Sequence, residues 1–442
     1  MENKRILLIL FWNSDNMDYE NILTALKDGN VPASGAKTLC MGREREVEEF
    51  DRLLNKVDQD ERAVVKFING EYGAGKSFFL KVVEEMAFEK NFVVSWITLS
   101  NDIPFNKIDV VYKNIARNLK CKTGTSLDHI IDRWITNLKM MAFEESSNPQ
   151  KQNELVRENL YNDLAETREH ANSFAIAIEN YNKLMNEENY QTAAYAKAWL
   201  RGDSNIPYTE KRKFGVKGDV TKENAIHFLE ALSIFVKSIG YAGLVVLIDE
   251  AEFIMNLHTK KLRDVAYNYI RDIYDNCNLG KFQNTLFLFA GTPEWFEQPQ
   301  KGIPSYETLD DMIKNVLYND LENMRKPILN LRGFNMDNLN QIAGKLIIIH
   351  EKAYNWNASD KINPVIWDIV SIHLNDASLT GGKVTPRTFI RSFISVLDTV
   401  QQNQRFFNDP HEIIELFGKQ VTREGFGDEI DFDDIDEFDE DW

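Results

Sequence analysis

Apolar positions along the chain form runs typical of buried strands and repeats typical of amphipathic helices. Near-continuous apolar runs suit parallel strands that are covered on both faces. Five such runs alternate with stretches of helical periodicity, which indicates an α/β fold built on a five-stranded parallel sheet. The predicted strands are Ala63–Ile68, Phe92–Leu99, Leu244–Ile248, Thr285–Ala290 and Ile328–Leu331.

Helical periodicity predicts the remaining elements. A helix is expected to begin near Met41–Glu46, and another covers Lys76 to about Ala87. Residues 107–240 are mostly helical and polar, so we interpret them as a large helical insertion with a loop over residues 201–218. After Gly333 we expect a small helical subdomain in which Asn363 and Thr385 cap helices that begin at prolines. Its predicted helices are Asn335–Tyr354, Pro364 to about Leu374, and Pro386 to about Gln401.

Composition places the chain among ordinary globular proteins. Its 442 residues are 43% hydrophobic and 27% charged. The longest early apolar run, Ile6–Trp12, is too short to span a bilayer, and no cleavage site follows it, so we expect a cytoplasmic protein. The three cysteines are far apart and the seven histidines are scattered, which predicts neither disulfides nor a zinc site. The net charge is −18, but eleven carboxylates fall within residues 423–442, so a local basic groove elsewhere is compatible with it.

A glycine-rich segment lies between the first predicted strand and the next helix. Its residues match the pattern GxxxxGK[ST], in which backbone N–H groups surround phosphate oxygens and the helix dipole adds to them. Lys76 is expected to hold the β- and γ-phosphates, and Ser77 to ligate Mg²⁺ through its hydroxyl. A plain glycine-rich turn is the alternative. The segment reads Gly70-Glu71-Tyr72-Gly73-Ala74-Gly75-Lys76-Ser77.

The predicted strand Leu244–Ile248 ends in two adjacent carboxylates, Asp249 and Glu250. We assign Asp249 to the metal and Glu250 to the general base that activates the attacking water. Glu252 is the weaker alternative for the second role. Two acids at a strand end are structural in most proteins, and the glycine-rich segment is what favours a functional interpretation.

Two polar residues farther along are candidates for sensing the nucleotide. Thr292 follows the strand Thr285–Ala290, where its side chain can touch the γ-phosphate or orient water, although a simple turn would also explain its neighbours. Arg387 lies in the first turn of a predicted helix, an unfavourable place for a cation unless an anion is near. Arg391, one turn later, either takes this role instead or is solvated.

An arginine that acts on a neighbouring subunit would stabilise transition-state charge during ATP hydrolysis. Arg271, Arg325 and Arg332 are the candidates for this role. Each is equally explained as an ordinary surface or salt-bridged residue, and the sequence does not distinguish among them.

A basic segment within the insertion has a composition suited to nucleic acid. Its four cations and one aromatic residue suit phosphate contact and base stacking, and a solvated basic loop is the alternative. The acidic tail, residues 423–442, is either a disordered solubilising end or a segment that docks a partner or mimics DNA. The cations of the basic segment are Lys211, Arg212, Lys213 and Lys217.

The order of the motifs resembles the initiator (Orc/Cdc6-like) branch of the AAA+ ATPases. The matching residues are Gly42-Arg43-Glu44, the glycine-rich segment, Asp249-Glu250, Gly291-Thr292 and Thr385-Pro386-Arg387. More narrowly, roughly residues 20–400 resemble the BREX-type ATP-binding domain family of bacterial anti-phage systems. Members of that family occur as the D-type ATPase of BREX loci and as the ATPase of Shango-type loci. The segments that carry this resemblance are Ile22–Leu26, Gly29–Pro32, Gly70–Ser77, Gly215–Val216 and Gly240–Leu244.

This resemblance implies an AAA+ P-loop NTPase that binds and hydrolyses ATP with Mg²⁺, with residues around Gly42 and Arg43 flanking the adenine. It also implies DNA, a helicase and TerB-like or other defence-system proteins as partners, and we expect a homo-oligomer without membrane contact. After about residue 402 too little ordered sequence remains for the winged helix of the initiator branch. The expected organisation is an N-terminal segment (1–40), an AAA+ core (41–333), a helical lid (334–422) and the acidic tail.

Two functional hypotheses follow from these features. In the first, the protein is an ATP-driven switch or motor in phage defence that acts on DNA or loads a helicase. In the second, it is a nucleotide-dependent scaffold or sensor that recruits partners through its insertion and tail. The second kind of protein would turn over little ATP.

Overall fold

The computed structural model describes residues 18–314, 323–379, 386–405 and 407–424. Within them the chain forms two compact units. The helical unit comprises the described parts of Met1–Arg43, Gly73–Phe78 and Arg332–Trp442. The sheet unit comprises Glu44–Tyr72 and the described part of Phe79–Leu331. The predicted cap at Thr385 and residues 425–442 of the acidic tail lie outside the described residues.

A mostly parallel sheet forms the centre of the sheet unit. Its strands are β1 (Val64–Gly70), β2 (Val93–Thr98), β3 (Leu119–Lys120), β4 (Leu244–Asp249), β5 (Thr285–Gly291) and β6 (Ile328–Leu331). Their spatial order is β3-β2-β4-β5-β1-β6, and only the β2–β3 pair is antiparallel. The α/β class and the five predicted strands are confirmed. The sheet nevertheless has a sixth strand, because β3 has only two residues and forms no apolar run.

The pairing of the strands brings the ends of β1, β2, β4, β5 and β6 to one edge of the sheet. Asn69 of β1 is paired with Gly291 of β5 on one side, and Gly70 with Leu331 of β6 on the other. At the end of β2, Thr98 is paired with Asp249 of β4. Every residue of β4 and β5 is buried, which explains their uninterrupted apolar sequence. This carboxyl edge is where ligands bind in open parallel sheets.

Helices account for most of the remaining described residues, and none of them has the length and apolar character needed to cross a membrane. The insertion between β2 and β4 is helical apart from β3, as expected, but the predicted loop over residues 201–218 contains a short helix. The helices are α1 (Tyr19–Lys27), α2 (Ala36–Leu39), α3 (Glu44–Gln59), α4 (Lys76–Glu89), α5 (Ile108–Arg117), α6 (Leu127–Glu145), α7 (Pro149–Asp163), α8 (Ala165–His170), α9 (Asn172–Asn186), α10 (Tyr190–Leu200), α11 (Tyr208–Lys213), α12 (Ala225–Ser238), α13 (Lys260–Asn278), α14 (Pro293–Glu297), α15 (Glu307–Ile313), α16 (Met336–Tyr354), α17 (Ser359–Ile362), α18 (Ile366–Leu379), α19 (Pro386–Gln402) and α20 (Pro410–Glu424). Short 3-10 turns occur at Ala251–Asn256, Ile303–Ser305 and Asn363–Val365.

The helical unit joins the start of the chain to its end. Apolar residues of α1, including Leu23 and Leu26, share one core with Leu339 of α16 and Phe389 of α19. A buried polar network reinforces this packing. The indole of Trp356 donates to Nδ1 of His350, whose Nε2 contacts Asp398, and Asp398 also forms an ion pair with Lys27 of α1. The three predicted lid helices are present, whereas α1, α17 and α20 were not predicted.

Candidate functional site

The glycine-rich segment forms the strand–loop–helix arrangement that its motif requires. Gly70 ends β1, and Lys76 begins α4. Between them Gly73 and Gly75 have φ angles of +78° and +88°, in the left-handed region that side chains other than glycine rarely adopt. The sequence G-A-G is therefore what allows the loop to turn back on itself and continue into the helix. Tyr72 is 77% exposed at the tip of this loop, and Glu71 precedes it.

Asp249 and Glu250 differ in exposure although they are adjacent. Asp249 is only 5% exposed, and its Oδ1 accepts a 3.0 Å hydrogen bond from the backbone N–H of Glu250. Glu250 is exposed and has a φ of +54°, an unusual conformation for a residue with a side chain. Such conformations concentrate at functional sites. Glu252, the alternative base, lies in the following 3-10 turn and is half-buried.

Thr292 lies directly after β5, at the same edge of the sheet as Asp249. It occupies the N-cap position of α14, where its carbonyl accepts a 3.0 Å hydrogen bond from the N–H of Trp295. Within the described part of the chain its hydroxyl makes no capping hydrogen bond to this helix. The hydroxyl is therefore not used to cap α14, and the predicted sensing role stays a prediction.

Two asparagines at this edge were missed by the sequence reasoning. Nδ2 of Asn69 in β1 donates a 2.9 Å hydrogen bond to Oδ1 of Asn330 in β6. The Oδ1 atom of Asn69 is buried, and no hydrogen-bond partner for it is found among the described residues. A polar side chain near the end of each of two apolar strands was the available signal. These amides extend the polar carboxyl edge to β6.

Within the helical unit, Arg387 and Arg391 both lie against the end of α1. Arg391 donates from Nε to the carbonyl of Lys27 at 3.1 Å. Arg387 is exposed, and its guanidinium packs on Gly29 so closely that a Cβ at that position would lie 2.5 Å from Nε. Because the guanidinium of Arg391 already donates to the last carbonyl of α1, Arg387 is the better placed of the two to bind an anion.

Arg43 is the most buried arginine among the predicted site residues. Its side chain is 7% exposed, and its guanidinium lies 4.7 Å from the centre of the Phe334 ring. One terminal nitrogen donates to the carbonyl of Arg332 at 2.5 Å and to that of Ala74 at 3.4 Å. Its side chain thus contacts both the glycine-rich segment and the strand-to-helix connection before α16, all within the helical unit. The preceding Gly42 packs closely on the side chain of Asn338.

The three candidate trans-acting arginines have different surroundings. Arg271 forms ion pairs with Asp272 at 3.1 Å and Asp275 at 3.7 Å. Arg325 is exposed in the turn before β6, and its own N–H is bound by the side chain of Asn323 at 3.1 Å. Arg332 is also exposed, and its carbonyl accepts the hydrogen bond from Arg43.

The turn that carries Arg325 is held from beneath by a buried lysine. Nζ of Lys66 in β1 donates to the carbonyls of Met324 and Lys326, both at 2.6 Å. Burial lowers the pKa of Lys66 to about 8, and the carboxylate of Glu49 at 3.7 Å opposes that shift. The two carbonyls on either side of Arg325 are therefore fixed by one ammonium group.

The basic segment is not the open loop that the sequence suggested. Lys211, Arg212 and Lys213 belong to α11, in which Lys211 is buried and paired with Asp219 and Lys213 is paired with Glu210. Phe214 is buried against Trp199, so it cannot stack on a base without opening the fold. Only Arg212 and Lys217 of the four cations are exposed without a carboxylate among their described hydrogen-bond and ion-pair partners.

The donor set at the carboxyl edge suits magnesium rather than a dedicated metal cage. No group of three or more histidine, cysteine, aspartate or glutamate side chains within the described ranges is arranged to hold a metal. Mg²⁺ characteristically takes one or two protein oxygens and completes its shell with phosphate oxygens and water. The buried, hydrogen-bonded carboxylate of Asp249 is an oxygen donor of this kind.

Comparison with known proteins agrees with the motif order. A search of curated proteins gives no match. The model of the family described as BREX system ATP-binding protein BrxC/D matches residues 15–415, which is most of the chain. The match includes the glycine-rich segment, Asp249-Glu250, Thr292 and Arg387, and it confirms the resemblance to the BREX-type ATP-binding domain family. The chain therefore belongs to the BREX system ATP-binding protein BrxC/D family.

Proposed function

We propose that this BREX-family ATP-binding protein hydrolyses ATP with Mg²⁺ and uses the cycle as a switch in phage defence. The observation that carries the proposal is the carboxyl edge of the sheet, where the glycine-rich segment begins at the end of β1, Asp249 ends β4 and Glu250 follows it. A phosphate-binding loop alone would support nucleotide binding. The exposed acid next to a buried one supplies the further requirement for hydrolysis.

Each residue of the site has a proposed role. Bound Mg²⁺ would neutralise charge that develops on the phosphates, with Ser77 and Asp249 as its protein ligands. Glu250 is exposed at a turned backbone position, so its carboxylate is available to accept a proton from water. Lys76 would hold the β- and γ-phosphates, and Thr292 would contact the γ-phosphate or the water. Arg387 would respond to the bound nucleotide.

The first experiment compares two carboxylates of the same strand end. We expect Glu250→Gln to lower kcat for ATP hydrolysis about 10²–10⁴-fold, the usual contribution of a general base, with ATP binding retained. Glu252→Gln is the matched control and should retain most of the activity. Hydrolysis by purified protein and binding of a fluorescent ATP analogue measure the two effects. Equal activity of wild type and Glu250→Gln would remove Glu250 as the base, and a wild type without turnover would remove the ATPase proposal.

We expect a homo-oligomer, and the surroundings of the arginine candidates bear on which of them would act between its subunits. Arg271 is neutralised by two neighbouring aspartates, whereas Arg325 is exposed on a turn that Lys66 fixes. An exposed cation on a fixed turn is suited to contact the phosphates bound by a neighbouring subunit. Of Arg271 and Arg325, we therefore assign the trans-acting role in a homo-oligomer to Arg325, and Arg332, which is also exposed, is the remaining alternative.

Partners remain part of the proposal. We propose that the nucleotide cycle acts on DNA or on a partner helicase, together with TerB-like or other defence-system proteins. Arg212 and Lys217 are the exposed cations of the basic segment that could meet phosphates. Hydrolysis measured with and without single- and double-stranded DNA tests this link, since a cycle that acts on DNA should be stimulated by it.

The alternative is a scaffold that binds ATP and recruits partners but hydrolyses very little of the ATP. One observation favours it: Met140, Met141 and Phe143 near the end of α6 are all more than half exposed, and Phe143 is 73% exposed. Exposed apolar side chains in a cluster mark interaction surfaces. The same hydrolysis assay separates the two functions, because the scaffold predicts binding of ATP without appreciable release of phosphate.

A further inference from the structure

Arg43 makes contacts that differ from those expected of a residue beside the adenine. Its guanidinium is turned into the helical unit, where it donates to two backbone carbonyls and stacks on Phe334. A side chain so buried presents little surface to a base. Its position is better explained by the segments that it connects.

The contact with Ala74 fixes the direction of a peptide group in the glycine-rich segment. A trans peptide is planar, so the carbonyl of Ala74 and the N–H of Gly75 point in opposite directions. A cation that binds the carbonyl from one side therefore directs the N–H to the other side. In phosphate-binding loops it is such N–H groups that contact phosphate oxygens.

The other contacts of Arg43 lie at the start of the C-terminal helices. The carbonyl of Arg332 accepts the shorter hydrogen bond, and Phe334 covers the guanidinium. Beside it, Gly42 packs on Asn338, whose side chain and that of Asn335 form the capping box of α16. One side chain thus connects the conformation of the glycine-rich segment to the connection that precedes α16.

We propose that Arg43 is a positioning residue that holds the glycine-rich segment in its phosphate-binding conformation and couples it to the start of α16. The proposal rests on the function proposed above and adds a residue that does not itself touch the phosphates. A change in the loop on nucleotide binding would reach Arg332 and Phe334 through the guanidinium. A lysine could not replace it fully, because a single ammonium lacks the planar face that stacks on Phe334.

Base selectivity distinguishes this role from adenine contact. We expect Arg43→Met to weaken binding of ATP, ADP and GTP by the same factor, about tenfold to a hundredfold, because the β-phosphate site is loosened. Binding of AMP, which lacks the β-phosphate, should change much less. In steady-state hydrolysis the KM for ATP should rise more than kcat falls. Arg43→Lys should lie between the wild type and Arg43→Met.

Arg45→Met is the matched control, since Arg45 is an exposed arginine two residues later. It should bind all four nucleotides like the wild type. Phe334→Leu provides a milder second variant, with a smaller loss of the same pattern, in case Arg43→Met does not fold. Fluorescent analogues of the four nucleotides and the full-length chain are used throughout, and thermal unfolding verifies that each variant is folded.

Three results would overturn the proposal. Arg43→Met and Phe334→Leu could bind nucleotides as tightly as Arg45→Met does. The loss could be confined to ATP and ADP, so that selectivity over GTP collapses, which would assign the side chain to the base. It could also extend equally to AMP, which would indicate general damage to the site. A wild-type protein that binds no ATP would instead refute the proposed function, so the two failures are distinguishable.

Discussion

At the scale of single residues, side chains around the candidate site differ in how far along the chain their partners lie. Lys76, Asp249 and Glu250 follow from short motifs, because neighbouring residues in the chain define a loop or a strand end. Arg43 is different, since its partners Ala74 and Arg332 are 31 and 289 residues away. Lys66 likewise binds carbonyls 258 and 260 residues later. Contacts of this kind depend on the whole fold, so a local sequence pattern cannot predict them.

The buried Lys66 gives a prediction about pH. Its pKa is about 8 in the folded protein, below the ordinary 10.5. Between these values the unfolded chain holds a proton that the folded chain has released, so this residue makes the unfolding free energy rise with pH. The contribution should rise by up to about 1.4 kcal/mol per pH unit between about pH 8 and 10.5 and be flat below pH 8.

Urea unfolding of wild type and Lys66→Met from pH 7 to 9.5 measures this effect. The difference between the two curves isolates Lys66, because the other titrating groups are common to both. Lys90→Met is the control for removing a lysine that pairs with Asp51 near the surface. Parallel curves for wild type and Lys66→Met would show that Lys66 titrates normally.

At the scale of elements, apolar runs predicted the sheet because parallel strands are buried on both faces. The two-residue β3 carried too few residues for a pattern, and α11 was hidden in a segment rich in glycine and charge. Helix α1 also escaped prediction. Its apolar residues Ile22, Leu23 and Leu26 are spaced as in an amphipathic helix, but their significance lies in distant partners on α16 and α19.

The end of α1 supports a second prediction. Gly29 has a φ of +72° and lies under the guanidinium of Arg387. We expect Gly29→Ala to displace that guanidinium and to raise the KM for ATP several-fold, besides a backbone cost of about 1–2 kcal/mol. Hydrolysis kinetics and thermal unfolding measure the two effects.

Gly280→Ala controls for the backbone cost. Gly280 has a φ of +73°, and no described atom lies within 4 Å of a Cβ placed there. This variant should lose comparable stability while keeping the KM of the wild type. If Gly29→Ala and Gly280→Ala have equal KM values for ATP, Arg387 does not take part in nucleotide binding.

At the scale of the whole molecule, the proposed homo-oligomer can be tested by mixing inactive subunits. Arg325→Ala should lower hydrolysis about 10³-fold or more, the usual effect of a trans-acting arginine. Mixed with Glu250→Gln, it should regain up to about a quarter of wild-type activity. The reason is that one arrangement in four places an intact Glu250 beside an intact Arg325 in a head-to-tail ring.

The control for mixing uses Arg271→Ala, which should be active alone because its aspartate partners already occupy that arginine. Phosphate release is measured for each variant and for the equimolar mixture with Glu250→Gln. If the mixture of Arg325→Ala and Glu250→Gln releases only what the separate preparations release together, Arg325 does not act between subunits.

The joining of α1 to the C-terminal helices also bears on how the protein is made. Arg391 meets the carbonyl of Lys27 across 364 residues. At a ribosomal rate of about 5–20 residues per second, α19 is synthesised roughly 20–70 s after α1. During that time the apolar side chains of Ile22, Leu23 and Leu26 cannot pack against α16 and α19. They therefore stay exposed on the nascent chain, where chaperones can bind them. Arg43 likewise gains its contacts with Arg332 and Phe334 only after those residues have been synthesised, late in translation.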